Sequence, residues 1–292
     1  MSILADKKTK VLVQGITGMQ ASFHVKRSIA AGTKIVAGVS PQRGGTKYGG
    51  IPVFETVKEA VSATGATASV MFVPARFVKD AVKEAVEAEL EVAVTIAYGV
   101  PIRDMLEIKA MLRGSKTVLI GPNTPGIITP GEACLGIFPE NIHHSGNIGV
   151  ISRSSTLTYE AVLETDRAGL GQSTVIGLGD DMIVGTDFVE LLKRFHQDEK
   201  TKAIVLLGKL GGTFEEAAAE FYKDLPVKKP VISYVAGTAV PFDYKMGYAG
   251  DIITRGKITA EDKKEVMRRA GIIVVDSINE IHHCLQMLKG KE

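Results

Sequence analysis

Short apolar runs recur along the chain, separated by stretches of helical periodicity. Val11–Val13, Ile35–Val39, Ser69–Val73, Val92–Ile96 and Val118–Ile120 form one series. Ile148–Ile151, Thr174–Ile176, Ala203–Leu207, Val231–Tyr234 and Ile272–Val275 form a second. Runs with few polar positions are what parallel strands buried on both faces require. Between them lie apolar stripes at helical spacing: Phe77, Ala81, Val82 and Ala85; Phe188, Leu191, Leu192 and Phe195; and Ile278, Ile281, Leu285 and Leu288. Helix starts are marked where a hydroxyl precedes an acid by three residues, at Thr213-Phe-Glu-Glu216, Thr259-Ala-Glu-Asp262 and Ser277-Ile-Asn-Glu280. The first and last match the capping box, in which hydroxyl and acid satisfy orphan backbone N–H groups.

This alternation of strand and helix predicts an α/β protein of two doubly wound domains. Five β–α units fall on each side of the Gly/Pro-rich stretch from Gly121-Pro-Asn-Thr-Pro-Gly126 through Pro130-Gly131. The domains are placed at residues 1–125 and 146–292, joined by a connecting segment over 126–145. A length of 292 residues suits two domains.

Composition narrows the function. Lys plus Arg total 35 against 33 for Asp plus Glu, a formal charge of +2, which offers no broad hold on nucleic acid or an anionic membrane. No apolar run approaches the 18 or so residues of a membrane span. Met1 to Lys10 is short and polar and leads straight into a strand, so no signal peptide is expected. The two cysteines, Cys134 and Cys284, lie far apart without ligand spacing, which predicts no disulfide scaffold and no metal site. They read as small core residues, in a reducing cytoplasm or organelle matrix.

The first strand runs into a glycine turn and then a helix: Val11-Leu-Val-Gln-Gly15-Ile-Thr-Gly18-Met-Gln20. Such a turn lets backbone approach a ligand and aims helix N–H groups at an anion. A nicotinamide-dinucleotide domain usually carries Asp or Glu at the end of its second strand for the ribose 2′-hydroxyl. Here that strand runs into Ser40-Pro-Gln-Arg43-Gly-Gly45, with no acid and one cation. A cation there suits a ribose carrying its own phosphate, as in NADP or coenzyme A; the alternative is a solvated arginine in a loop. Pro74-Ala-Arg76 and Ile96-Ala-Tyr98-Gly-Val-Pro101 add to the same sheet edge, and none of these loops offers a hydride-transfer constellation.

Five motifs in order then carry a resemblance: Gln14-Gly-Ile-Thr-Gly18, Gly121-Pro-Asn-Thr-Pro-Gly-Ile-Ile-Thr-Pro-Gly131, Ser152-Arg-Ser-Ser-Thr-Leu-Thr-Tyr-Glu160, Gly208-Lys-Leu-Gly-Gly212 and Met246-Gly-Tyr-Ala-Gly250. The chain resembles, essentially end to end, the α subunit of succinyl-CoA synthetase, a nucleoside-diphosphate-forming acid–CoA ligase. The resemblance implies an N-terminal CoA-binding Rossmann-like domain, a C-terminal flavodoxin-like domain, and a β subunit bearing an ATP-grasp nucleotide site with Mg²⁺. It implies the reaction acid + CoA + NTP to acyl-CoA + NDP + phosphate, through an acyl phosphate and a phosphohistidine, in the tricarboxylic acid cycle. Carried over by position, Thr17, Gly18, Met19, Gln20, Arg43, Ile96, Ala97 and Tyr98 would contact CoA. Tyr159 would lie near the subunit contact and the acid, and Ser154, Ser155 and Thr156 would open a helix aimed at the transferring phosphoryl group.

The departures from the family cluster. Its phosphorylated histidine falls at Tyr248, and the Glu that orients the imidazole falls at Lys209. Its Ser-Arg-Ser-Gly turn ends in Ser155, and its Gly-Gly-Asp loop reads Gly179-Asp180-Asp181, with a carboxylate where phosphate should dock. A neutral imidazole is nucleophilic near pH 7, whereas a phenol of pKa ~10 is ionised in about one molecule per thousand. Lys209 could lower the Tyr248 pKa, hold an anion, or be a solvated lysine. The six histidines, His24, His143, His144, His196, His282 and His283, read as core or surface residues. The expectation is a ligase α subunit, with succinate as default acid, whose phosphohistidine relay is altered or lost. Alternatives are a non-catalytic CoA-binding paralogue that regulates a ligase complex and, more remotely, an NADP-dependent reductase.

Overall fold

The computed structural model describes residues 3–238 and 259–290. Its backbone divides into two compact units: Leu4–Glu140 with Ile183–Thr186, and Asn141–Met182 with the chain from Asp187 onward.

The first unit begins with β1 (Lys10–Gln14), α1 (Met19–Ala30), β2 (Lys34–Val39), β3 (Lys47–Tyr48), β4 (Ile51–Phe54) and α2 (Val57–Thr64). It continues through β5 (Ala68–Met71), α3 (Val78–Glu87), β6 (Val92–Thr95), α4 (Ile102–Leu112) and β7 (Val118–Ile120). The sheet order is β3-β4-β2-β1-β5-β6-β7. The pairings are parallel except that of β3 with β4. Counting only the parallel strands, the order is 3-2-1-4-5-6, the Rossmann arrangement, with its switch point beside β1. Adjacent residues of β1 feed opposite faces, as the pleat requires. Leu12 joins Val57, Val78, Val82, Met105 and Ile108 of α2, α3 and α4 in one core. Val13 joins Ile16, Ala21 and Val25 of the turn and α1 in the other. Each fully buried Leu or Val contributes about 1.5–3 kcal/mol, so both faces of the sheet are tied down.

The stretch read as a connection is built as an antiparallel hairpin of β8 (Gly126–Thr129) and β9 (Ala133–Gly136). The sequence reading missed it because its strands are four residues long and bounded by Gly and Pro. Cys134, on β9, is buried, and burial pushes its thiol up to about 12.

The second unit contains β10 (Ser145–Ser152), α5 (Ser155–Arg167), β11 (Gln172–Gly177), α6 (Phe188–Gln197), β12 (Ala203–Lys209) and α7 (Phe214–Lys223). It ends with β13 (Val231–Ala236), α8 (Ala260–Arg269), β14 (Ile273–Val275) and α9 (Ile281–Lys289). Its strands run β14-β13-β12-β10-β11, all parallel. Renumbered within the unit this is 2-1-3-4-5, the flavodoxin order. Phe188, Leu191, Leu192 and Phe195 are fully buried, as their spacing predicts. A Cβ at Gly149 would lie 2.6 Å from the Phe195 ring, so glycine there lets α6 sit close on β10.

Two local expectations are corrected. Phe77 is 46% exposed in a short turn before α3, not on the buried stripe. Of the three capping motifs, only Thr259 and Asp262 close a capping box. Thr213 makes no side-chain cap because its backbone is not extended and Glu216 is drawn to Lys263. Ser277 precedes a single 3-10 turn, and Glu280 accepts from the N–H of Asp276 instead. Among the described residues no helix is long and apolar enough to cross a membrane.

Candidate functional site

In the first unit the candidate residues gather at the carboxyl edge of the sheet. The turn after β1 is fixed by backbone: Gly15 donates to the Val39 carbonyl at 2.8 Å and accepts from the N–H of Gly18 at 3.0 Å. Gly15 has φ +78°, and a Cβ there would meet the Phe72 carbonyl oxygen at 2.5 Å, so only glycine fits. Ile16 points into the core, leaving Thr17, Gly18, Met19 and Gln20 exposed. Gly18 is the N-cap of α1 with no side-chain cap and no acid in the first turn. The positive end of α1 therefore faces outward with no side chain capping its first N–H groups, the geometry of an anion seat.

The loop after β2 is tied to this turn by a 3.0 Å hydrogen bond between the hydroxyls of Thr17 and Ser40. Glu55, which the sequence reading did not single out, braces the loop: its carboxylate accepts from the N–H groups of Gln42 and Gly44, both at 2.7 Å. Those bonds flank Arg43, whose exposed guanidinium forms no ion pair among the described residues. Ile96 and Ala97 are half-buried after β6, and Tyr98 is 75% exposed. With Met19 at 88% exposed, the edge presents apolar surface beside the anion seat.

The second unit presents three neighbouring carboxyl ends, those of β11, β10 and β12. After β10, Ser154 caps α5 by accepting from the N–H of Leu157, while Ser155 and Thr156 open the helix, again with no acid in its first turn. Ser152 braces the turn, its hydroxyl accepting from the Ser154 N–H and donating to the Ser154 carbonyl. Tyr159 is half-buried on α5, one turn beyond Ser155.

Arg153, inside the quoted Ser-Arg-Ser-Ser motif but assigned no role from sequence, is buried at the centre of a charged cluster. It donates to the Gly211 carbonyl at 2.9 Å and to Glu215 at 3.3 Å, and its guanidinium lies 4.6 Å from the Phe214 ring centroid. Glu215, fully buried, also accepts from Lys263 at 2.6 Å and from the Lys209 N–H at 3.1 Å. Lys263 further donates to the Gly212 carbonyl and to Glu216. Two cations against two carboxylates make this buried cluster formally neutral. It pins the 209–212 loop to β10 and α8.

Lys209 is not a solvated lysine. It is buried at the end of β12, and its ammonium pairs with the Asp180 carboxylate after β11. The two residues that the resemblance sets apart are thus one interaction: the acid at 180 neutralises the cation at 209. Tyr248 lies outside the described residues, so its placement beside Lys209 is not described. His143 is buried, and the other histidines have packing or pairing roles. His24 stacks on Phe72, and burial, then Arg27, lowers its pKa. His144 pairs with Asp166, His282 with Glu164, and His196 with the Leu192 carbonyl, while His283 packs against the His282 ring. No metal-binding group of His, Cys, Asp and Glu exists among the described residues.

A CoA binding domain model matches residues 6–99, and a CoA-ligase model matches residues 151–273. With the two doubly wound folds and their helix-opening turns, these define a CoA-ligase subunit. The chain is 48% identical over 281 residues to the succinate–CoA ligase [ADP-forming] subunit alpha of Staphylococcus aureus strain Mu50, covering 96% of this chain and 93% of that protein. It is 51% identical over 271 residues to subunit alpha 2 of the same enzyme from Archaeoglobus fulgidus, covering 93% and 94%. The chain belongs to the succinate–CoA ligase α-subunit family, whose enzymes are NDP-forming acid–CoA ligases. Among solved structures it is similar to ATP citrate lyase from Methanothrix soehngenii in complex with citrate and coenzyme A, with TM-score 0.90 and 25% identity. That match covers 99% of this chain and 51% of the other, so the chain spans about half of that protein. The fold is shared with a Korarchaeum cryptofilum acetyl-coenzyme A synthetase at TM-score 0.74 and 17% identity, over 95% of this chain and 60% of the other.

Proposed function

We propose that this α subunit holds coenzyme A on the first unit and works in an NDP-forming ligase whose phosphoryl relay does without a histidine on this chain. The first unit fits CoA: a turn that only glycine can make, the open N-terminus of α1, the Arg43 cation and the exposed Met19 and Tyr98 offer contacts for phosphates and an apolar arm. Thr17, Gly18, Met19 and Gln20 would seat the pyrophosphate, Arg43 the ribose phosphate, and Ile96, Ala97 and Tyr98 the pantetheine side. CoA supplies the thiol that takes the acyl group. The chain's own part is to orient it and to bind anions at helix starts.

The Lys209–Asp180 pair carries the reading of an altered relay. Where the family resemblance puts an orienting Glu, this chain has a cation already satisfied by a carboxylate, and a phenol stands at Tyr248 in place of the imidazole. With Asp180 committed to it, the Lys209 ammonium offers little charge to an incoming phosphate. Phosphate then passes directly between a nucleotide site and the acid, with Ser154, Ser155 and Thr156 at the start of α5 stabilising charge and Tyr159 beside the acid and the partner. The nucleotide, ATP or GTP, and its Mg²⁺ belong to a β-type ATP-grasp subunit. Succinate is the default acid, and the setting is the cytoplasm or an organelle matrix, in the tricarboxylic acid cycle.

The test is to co-express the chain with a β-type subunit and incubate it with γ-labelled ATP. We expect CoA binding and no acid-labile, base-stable phosphate on this chain, with CoA-dependent NDP release on addition of a dicarboxylate. A phosphohistidine on this chain overturns the altered relay, and failure to bind CoA overturns the whole reading.

A further inference from the structure

We propose that a cavity at the amino-terminal edge of the second unit's sheet binds a small monocarboxylate with a compact apolar body. The cavity measures about 230 Å³ and is walled by Ile148 and Ala203, at or near the starts of β10 and β12, and by Leu285 and Leu288 of α9. An apolar cavity of about 150 Å³ holds benzene, so this one has room for roughly nine non-hydrogen atoms. Its polar lining is one-sided: Lys202, Lys289 and Asn147, with no carboxylate. Both lysines are exposed, and neither forms an ion pair among the described residues. The Asn147 side-chain oxygen is buried without a hydrogen-bond partner; as an acceptor it adds nothing to the hold on an anion, which falls to the two lysines. An apolar trough ringed by two uncommitted cations complements an amphipathic anion, in which the body displaces water and the carboxylate meets the lysines.

The position sets this site apart from the start of α5. β10 and β12 line the cavity with residues of their amino-terminal halves and deliver Ser152 and Lys209 with their last. A ligand here therefore leaves the carboxyl edge free. The inference does not rest on the reading of the relay.

Benzoate, with nine non-hydrogen atoms, is the probe, and benzamide is its uncharged counterpart. Full-length protein is titrated with each by calorimetry, and contact is read by saturation-transfer NMR. We expect one saturable benzoate site per chain, and benzamide binding at least tenfold weaker. The double variant Lys202→Ala/Lys289→Ala, altered only at exposed positions, weakens benzoate about tenfold. Leu288→Trp, which fills the cavity from its half-buried rim, abolishes binding while the circular-dichroism melt stays cooperative. Absence of saturable benzoate binding, equal binding of benzamide, or unchanged benzoate affinity in the lysine variant overturns the proposal. Should Leu288→Trp fail to fold, the lysine variant and benzamide still decide.

Discussion

Replacing Lys209 by Glu tests whether Lys209 and Asp180 act as one unit. Lys209 and Asp180 side chains are only 9% and 14% exposed, so water screens the pair little. Removing one partner of a buried pair costs about 3–5 kcal/mol. A Glu would in addition set two carboxylates against each other, raising the pKa of one until it holds a proton. The penalty is therefore largest near pH 7 and relaxes as pH falls through that raised pKa, because the folded form then takes up the proton that relieves the repulsion. At about 2–4 °C per kcal/mol for a unit of this size, we expect Lys209→Glu to lower the melting midpoint by about 6–20 °C at pH 7. Adding Asp180→Gly should return most of that loss. The assay is differential scanning calorimetry of the parent, both single variants and the double, read as a double-mutant cycle. Should Lys209→Glu melt with the parent, or Asp180→Gly recover nothing, the two side chains are not coupled and the reasoning fails. With the pair reset, Tyr248→His on the same background is the variant expected to regain phosphorylation. Tyr248→His with Lys209→Glu alone should not, because Asp180 would still face the new carboxylate.

Arg43→Glu should weaken CoA by about tenfold and leave dephospho-CoA affinity nearly unchanged; an equal loss for both ligands would place Arg43 away from the ribose phosphate. The Cys134 thiol, pushed up to about 12 by burial, should resist alkylation at pH 8 until the chain unfolds. Its folded pKa exceeds the unfolded value, so the unfolded chain loses this proton first and stability falls as pH rises from about 9 towards 12. Cys134→Ala should flatten that fall in urea titrations, and an unchanged slope would refute the shift.

Much of the architecture is legible because buried parallel strands leave a strong mark. Runs such as Ala203–Leu207 have few polar positions, and both strand series fell where β1, β2, β5 to β7 and β10 to β14 stand. The hairpin of β8 and β9 and the short β4 were not read, since four residues among Gly and Pro carry little periodicity. The glycine turn was readable through its chemistry. Glu55 was not, because its role is to accept two backbone N–H groups, which no spacing rule announces. Lys209 and Asp180 were each noticed as oddities, yet their pairing spans 29 residues and arises only when β11 and β12 flank β10. Arg153 is a similar case: a buried guanidinium looks in sequence like any surface arginine, and its partner Glu215 lies 62 residues away on α7, where Lys263 of α8 shares it.

The short Ile183–Thr186 segment has a genetic corollary. It belongs with the first unit although more than forty residues of the second precede it in the chain. Gly185 donates to the Gly121 carbonyl, Thr186 to that of Leu119, and Lys109 in turn donates to the carbonyl of Gly185. A gene fragment stopping at Glu140 would strip these partners from the end of β7. The two halves are interleaved, so recombination that shuffles one without the other must carry this four-residue graft along with it.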